Sequence, residues 1–240
     1  MENLQVRRLQ RYFILAKVAF GSTFYVNLYQ NSSSTFLQPP SPKIEKSCYI
    51  SLLNQGYIEP AYGTSSGNQS YRLTPIGRNY LITQATDWIE EVRRHIHTLK
   101  PLLESKRARV SKLTNYAFMS QYLNYAHVIP FYILLIFKNE DIPLKITEIE
   151  KKIKRLYGFH TTTPTVKRYV LILEEKEYIN RIEGASAASF VYNQAKTIAW
   201  STYRTAAYKE IENGIHHLQE LVQLFEHIIK WPSTKNLQYI

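Results

Sequence analysis

The chain has 240 residues, of which 45% are hydrophobic and 20% charged, and its formal net charge is +11. This composition excludes an intrinsically disordered chain and is sufficient for one large domain or two ordinary ones. The basic balance favours an anionic partner such as DNA, RNA or an acidic membrane surface. Residues 1–120 hold 15 Lys and Arg against 7 Asp and Glu, whereas residues 121–240 hold 15 against 12. The first half is therefore the better candidate for contact with phosphates.

The sequence lacks the motifs of common catalytic and metal sites. It contains no glycine-rich phosphate loop, no dinucleotide-binding fingerprint, no nucleophile elbow and no zinc-protease helix. His216, His217 and Glu220 have ligand-like spacing on a helix, but a solvated or seam-edge position explains them better. We therefore expect no enzyme activity, no metal and no cofactor.

A single cysteine, Cys48, excludes a disulfide within the chain and favours a reducing compartment. No apolar signal segment opens the sequence, and the longest apolar stretch, Val128–Phe137, is too short to cross a bilayer. These features predict a cytoplasmic protein without a membrane partner.

The first predicted elements are three helices. An apolar helix covers Tyr12–Phe20, and a second helix covers Ser22–Gln30. A third helix is predicted to open at Ser41-Pro42, because a hydroxyl residue suits the N-cap and proline suits the first helical position. The apolar stripe of this third helix is predicted at Ile44, Cys48, Leu52 and Leu53.

A short hairpin follows the third helix. The helix ends at Gly56, a strand follows at Tyr57-Ile58, and a Gly/Ser-rich loop runs from Gly63 to Ser70. A second strand over Tyr71–Leu73 then leads into a new helix that opens at Thr74-Pro75. The order helix, strand, loop, strand, helix is that of a winged helix-turn-helix, which presents one helix to the DNA major groove with a hairpin beside it.

A looser copy of the same plan follows 121 residues later, where Leu52-x4-Tyr57-Ile58 recurs as Leu173-x4-Tyr178-Ile179. The matching predicted elements are helices Ile129–Phe137 and Ile146–Tyr157, a third helix opening at Thr163-Pro164, and a hairpin over Arg181–Tyr192. The apolar stripe of this third helix is predicted at Val166, Val170, Leu171 and Leu173. The predicted fold is mainly α with small β-hairpin wings (α+β), a tandem winged helix-turn-helix. The first repeat covers residues 1–110 and the second repeat covers residues 111–240.

Each repeat is predicted to end in a long helix, Ile76–Glu104 in the first and Ile198–Ile229 in the second. Apolar residues recur in both at intervals of three and four, as they do in coiled-coil seams. The two seams could pack on each other within one chain, or each could pair in a homodimer. The sequence leaves both arrangements open.

DNA contact is predicted at the polar face of each third helix, at the hairpins and on the second helix of the second repeat. Lys and Arg can donate to guanine or phosphate, Thr can touch a base or phosphate, and small polar residues suit a hairpin tip near the backbone. The candidates are Lys43, Lys46, Ser47, Asn68 and Arg72 in the first repeat, and Lys151, Lys152, Thr163, Thr165, Lys167 and Arg168 in the second. Other basic clusters, including Arg7-Arg8 with Arg11, are predicted to be solvated faces that together could neutralise phosphates.

The segments ILAKVAFGSTFYVNLYQ, PPSPKIEKSCYISLLNQGYIE and YRLTPIGRNYL resemble the PadR-like and MarR-like winged-helix transcriptional regulators. The resemblance rests on the Ser-Pro before the recognition helix, its leucine-rich end with Gly, and a Y-x-L-T-x-x-G-x-x-x-L segment after the wing. It covers Tyr12–Leu81 and, with lower specificity, Phe131–Ile179. It implies a winged-helix fold and operator binding, usually as a dimer. In the second repeat Glu177 stands at the glycine position and VYNQAKTIAW replaces the L-T-x-x-G segment.

The leading functional prediction is a sequence-specific double-stranded DNA-binding protein that regulates transcription. It would read the major groove with the third helix and the backbone or minor groove with the wing. Two alternatives remain open: a plasmid or viral replication-initiation or segregation protein, and a winged-helix protein-interaction scaffold.

Overall fold

The computed structural model of the chain describes residues 6–21, 39–61, 70–104, 122–140, 142–159, 161–182, 188–195 and 198–230. It is mainly helical with small antiparallel strand hairpins, which confirms the predicted α+β class. None of the helices that it describes is long and apolar enough to span a membrane. The predicted helix Ser22–Gln30 and the tip of the first hairpin, with Asn68, lie outside the described residues.

The elements of the N-terminal part follow the predicted order. They are helices α1 (Val6–Phe20) and α2 (Pro42–Asn54), strands β1 (Ile58–Pro60) and β2 (Tyr71–Leu73), and helix α3 (Pro75–Leu99) with a terminal 3-10 turn (Lys100–Glu104). Strands β1 and β2 pair antiparallel, with Ile58 opposite Leu73. The first strand therefore begins at Ile58, one residue later than predicted.

The C-terminal part adds one strand that the sequence did not predict. Its elements are helix α4 (Tyr125–Glu140), strand β3 (Leu144–Lys145), helix α5 (Ile146–Lys152) with a π-helical continuation (Ile153–Tyr157), helix α6 (Thr163–Glu175), strands β4 (Ile179–Ile182) and β5 (Ser189–Tyr192), and helix α7 (Ile198–Ile229). Strand β5 is central and pairs antiparallel with both β3 and β4. A strand of two residues carries no periodic pattern, so β3 could not be recognised from the sequence.

The chain forms two compact units, residues 1–93 with 217–240 and residues 94–216. The C-terminal part of α7 thus belongs to the first compact unit, whereas the sequence predicted two consecutive units. The predicted boundary near residue 110 falls within 105–121, outside the described residues.

An aromatic cluster forms the centre of the first compact unit. The Tyr12 ring lies 5.0 Å from Trp88 and 5.7 Å from Phe225, measured between centroids. The Tyr12 hydroxyl donates a hydrogen bond of 2.8 Å to the Leu81 carbonyl, so this buried polar group is satisfied. Trp88 and Phe225 are also 5.7 Å apart, so α3 and α7 contact each other in this unit. This is one of the two arrangements that the apolar seams allowed.

Helix α4 is the centre of the second compact unit. All ten residues from Val128 to Phe137 are buried, which explains why this helix is apolar around its whole circumference. Tyr132 packs against Tyr157 at 4.4 Å and against Phe159 at 5.3 Å. The predicted helices Ile129–Phe137 and Ile146–Tyr157 are both present, the latter ending in π-helical rather than α-helical hydrogen bonding.

The turn that follows α2 is repeated after α6. Both helices have 13 residues, and their first residues, Pro42 and Thr163, are 121 positions apart. Tyr57 N donates to Leu52 O at 3.0 Å, and 121 residues later Tyr178 N donates to Leu173 O at 2.9 Å.

A left-handed residue lies at the centre of each of these turns. Gly56 has φ +69°, and Glu177, which replaces glycine in the second repeat, has φ +58°. A non-glycine residue in this region costs about 1–2 kcal/mol. The second repeat therefore keeps the backbone conformation without the residue that adopts it most easily.

The segment between the hairpin and the long helix is held by similar hydrogen bonds in both repeats, but different side chains form them. The Thr74 hydroxyl donates to Gly56 O at 2.6 Å and accepts from Gly77 N at 3.0 Å. In the second repeat the Asn193 amide donates to Glu177 O at 2.7 Å and accepts from Ala195 N at 3.2 Å. Asn193 thus donates to the left-handed residue and accepts from a later backbone N–H in the second repeat, as Thr74 does in the first. This explains how the second repeat forms the same corner without an L-T-x-x-G segment.

Some local predictions were wrong. The N-cap of α6 is Thr162 rather than Thr163, and neither Thr162 nor Ser41 makes a side-chain capping bond. Ile44 is 44% exposed, because it lies in the first turn of α2 beside an open cavity. Leu171 is 39% exposed, because Tyr169, and not Leu171, is buried with Val166, Val170 and Leu173 in the apolar stripe of α6.

Gly77 is required by a close contact between α3 and the preceding turn. A Cβ added at Gly77 would lie 2.0 Å from the Tyr57 carbonyl oxygen, which cannot move without disturbing the hairpin. We expect Gly77→Ala to lower the free energy of unfolding by about 1–3 kcal/mol, measured by denaturant titration. A Cβ at Gly56 meets nothing within 4 Å, so Gly56→Ala isolates the cost of the left-handed backbone. Unchanged or increased stability in Gly77→Ala would contradict the contact, since alanine is otherwise the better helix residue.

The Thr74 and Asn193 side chains give a second stability test. We expect Thr74→Val to lose about 1–2 kcal/mol, because it removes the helix cap and the bond to Gly56 O while keeping the side-chain shape. Asn193→Ala should lose a similar amount in the second repeat, and Thr74→Ser should be close to the parent chain. Equal stability of the valine and serine variants in denaturant titrations would show that the hydroxyl is not needed.

Candidate nucleic-acid interface

Helix α2 has one face in the protein and another in solvent. Cys48 and Leu52 are buried, whereas Lys43, Lys46 and Ser47 are exposed. An ion pair of 2.8 Å between Lys17 Nζ and Glu45 Oε1 joins α1 to the first turn of α2. Among the described residues, no carboxylate lies at ion-pair distance from Lys43 or Lys46. These two lysines therefore present uncompensated charge beside the first turns of the helix.

A cavity of about 400 Å³, here called the α1–α2 cavity, lies between the N-terminal part of α1 and the N-terminal half of α2. Its described lining includes four cationic side chains and no carboxylate. The cations are Arg7, Arg8, Arg11 and Lys43. Lys43 and Ser47, both predicted from the sequence as DNA contacts, thus share a site with three arginines of α1.

The sequence placed these arginines on a solvated face. Arg7 and Arg11 are four residues apart on one helix, so a common face could be read from the sequence. That this face lies opposite Lys43 of α2 is a property of the tertiary structure. The cavity is therefore a feature that sequence reasoning missed.

Cys48 forms part of the wall of the α1–α2 cavity and is 9% exposed. Burial raises the pKa of its thiol; the charge of Arg11 opposes part of this rise, and Glu45 adds to it. The thiol is thus protonated at neutral pH and is a small wall residue rather than a nucleophile.

The hairpin candidate Arg72 is already engaged within the protein. Its Nε lies 2.7 Å from Glu59 Oε1, and the two residues are opposite each other in the β1–β2 pairing. Their side chains are 42% and 46% exposed. An exposed pair of this kind contributes little stability and can exchange partners, so Arg72 remains accessible to a phosphate.

The cationic candidates of the second repeat differ in how far they are engaged. Lys151 and Lys167 are exposed. Arg168 is exposed too, but its Nη2 donates to the Tyr169 hydroxyl at 2.9 Å and its guanidinium lies over that ring. Lys152 forms a half-buried ion pair of 2.7 Å with Glu140. Lys152 therefore connects α5 to α4 instead of presenting a free charge.

The threonine candidates of the second repeat are hydrogen-bonded locally. The Thr163 hydroxyl donates to the Glu150 carboxylate, which joins the start of α6 to α5. The Thr165 hydroxyl lies 3.0 Å from that of Thr162. The first turn of α6 thus offers less unengaged donor capacity than the first turn of α2.

No group of three or more His, Cys, Asp or Glu side chains in the described part of the chain is arranged to hold a metal ion. His217 Nδ1 lies 3.4 Å from Glu220 Oε2, a local contact along α7. Comparison with protein-family models, curated proteins and solved structures finds no match to this chain.

The environment of Cys48 predicts a thiol that reacts slowly. We expect it to react with a disulfide reagent at neutral pH more slowly in the folded protein than in denaturant, because burial both covers the sulfur and raises its pKa. The rate should increase as the pH rises, since the thiolate is the reacting form. A folded-state rate equal to the denatured rate would contradict this assignment.

Proposed function

We propose that the protein binds double-stranded DNA through tandem winged helix-turn-helix repeats and acts as a transcriptional regulator. The element order supports a winged helix in both parts of the chain. In the second repeat, α4, β3, α5 and α6 precede the β4–β5 hairpin, and β3 adds a third strand to that hairpin. In the first repeat, α1 and α2 precede the β1–β2 hairpin. In this role the protein binds and does not catalyse.

One observation carries the proposal: α2 is anchored by Cys48 and Leu52 and leaves Lys43, Lys46 and Ser47 exposed beside a hairpin. A recognition helix needs this division, because its apolar face holds it in place while its other face meets base edges. Lysine can donate to guanine O6 and N7, and serine can contact a base or phosphate. The charge excess of residues 1–120 adds attraction to the DNA backbone.

The first repeat makes the principal contact in this proposal. Lys43 and Lys46 of α2 form no ion pair with a described residue, whereas Lys152, Thr163 and Arg168 of the second repeat are engaged with neighbouring side chains. Lys151 and Lys167 remain as exposed cations and would add backbone contacts. The second repeat therefore supports affinity more than sequence preference.

A homodimer through the long helices remains a prediction. In the first compact unit, Trp88 of α3 and Phe225 of α7 contact each other within one chain. A dimer would therefore have to use other faces of α3 and α7 in this unit.

A second candidate, a protein-interaction scaffold, is favoured by a specific observation. Ile50 and Leu171 are equivalent residues of α2 and α6, and their exposed fractions are 50% and 39%. Large apolar residues on the outward side of both helices suit a protein partner. On DNA the same residues would contact thymine methyl groups, so binding to duplex DNA discriminates between the two functions.

The central test removes the two lysines of α2. We expect Lys43→Ala with Lys46→Ala to weaken duplex binding and to reduce the slope of log affinity against log salt by about 2, because two phosphate or base contacts are lost. The measurement is fluorescence anisotropy with a labelled duplex over a series of salt concentrations.

The matched control is Lys209→Ala with Lys230→Ala, which removes the same charge from two exposed positions, one on α7 and one directly after it. It should retain the parent salt dependence. If both double variants lost the same duplex affinity, the effect would come from net charge alone, and the recognition-helix assignment would be contradicted.

Selection of random duplexes at about 150 mM salt, where purely electrostatic association is weak, tests sequence preference. A defined motif supports a regulator, and clustered copies of a cognate site near an origin would favour the replication or segregation alternative. Failure to bind any duplex would leave the scaffold function.

A further inference from the structure

The α1–α2 cavity has the composition of an anion site. Arg7, Arg8 and Arg11 face it from α1, and Lys43 faces it from α2. Arg7 and Lys43, one on each wall, are exposed, and the described lining contains no carboxylate, so the cavity has a positive potential that favours an anion. Because Lys43 and Ile44 lie in the first turn of α2, the positive end of that helix adds to the same potential.

The donors around the cavity suit phosphate more than a smaller anion. Arginine presents a planar fork that binds phosphate oxygens through two parallel hydrogen bonds. The hydroxyls of Ser47 and Ser51, one helical turn apart on α2, add neutral donors along the same wall. Ile44 and Cys48 give the cavity an apolar part. A phosphate ester, which joins an oxyanion to an organic group, matches this combination.

The size of the cavity supports the same chemistry. About 400 Å³ lies within the range of small-molecule sites, about 300–1,000 Å³, and is far larger than a bare ion requires. We propose that the α1–α2 cavity is a phosphate-binding site, which takes the phosphoryl group of a phosphorylated small molecule or of the DNA backbone. The charges and shape of the cavity support phosphate binding whether or not the protein also binds DNA as proposed above.

The test titrates the full-length protein with inorganic phosphate and with adenosine 5′-monophosphate by calorimetry, against sodium chloride at matched ionic strength. Arg7→Gln with Lys43→Gln changes one exposed residue on each wall. We expect this variant to bind both probes at least about tenfold more weakly, because charge-assisted hydrogen bonds are lost.

The control is Arg155→Gln with Lys209→Gln, which removes the same two charges from exposed positions outside the cavity lining. It should bind the probes as the parent protein does. Heat signals no larger than those of chloride, or equal losses in the two double variants, would overturn the site.

Cys48 provides a second readout in the unmodified chain. Since it lines the cavity, saturating phosphate should slow its reaction with a disulfide reagent more than chloride does. An unchanged rate at saturating phosphate would place the bound anion elsewhere and would overturn the proposal.

Two further arms distinguish the source of the phosphate. If the DNA backbone fills the cavity, phosphate will compete with duplex at constant ionic strength, and Arg7→Gln alone will weaken duplex binding. If a small molecule fills it, phosphate and duplex will bind together. Phosphate binding without any duplex binding would sustain the cavity and remove the DNA-binding function.

Discussion

The hydrogen bonds at the end of α2 and of α6 determine where each hairpin lies relative to its helix. In both repeats a left-handed residue reverses the chain, and the side chain directly after the second strand of the hairpin bonds back to the carbonyl of that residue. The exposed face of α2 and the β1–β2 hairpin keep their relative position only if this turn keeps its conformation. Gly77 is part of the same constraint, since its missing Cβ admits the Tyr57 carbonyl.

The two repeats show how one backbone plan tolerates different side chains. Glu177 replaces Gly56 and Asn193 replaces Thr74, yet the main-chain hydrogen bonds are nearly the same in length. The asparagine amide supplies a donor and an acceptor in one side chain, as the threonine hydroxyl does. The looser copy of the plan that the sequence shows in the second repeat therefore has the same backbone turn after its third helix as the first repeat has.

The repeats differ in how their charges are used. In the second repeat Lys152 and Arg181 form ion pairs with Glu140 and Glu174. In the first repeat Arg7 of α1 and Lys43 of α2 are exposed and line a cavity whose described lining has no carboxylate. Charge that is paired within the protein stabilises it slightly, whereas charge left uncompensated favours an anionic partner. This contrast directs both functional proposals to the first repeat.

The sequence by itself determined the features that depend on neighbouring residues. Apolar periodicity fixed the long helices, including the bounds Ile198–Ile229, and the proline at the start of α2 marked where that helix begins. Gly56 and the hairpin strands were also readable, because turn chemistry is local.

Only the tertiary structure decided the rest. Strand β3 exists because β5 offers it hydrogen bonds, and the α1–α2 cavity exists because two distant helices meet. The pairing of Lys152 with Glu140 depends on how α5 packs on α4, so a lysine that looked available in the sequence is engaged in the fold. A residue's pattern along the chain reports its own element, whereas its partners across space depend on packing that no local pattern encodes.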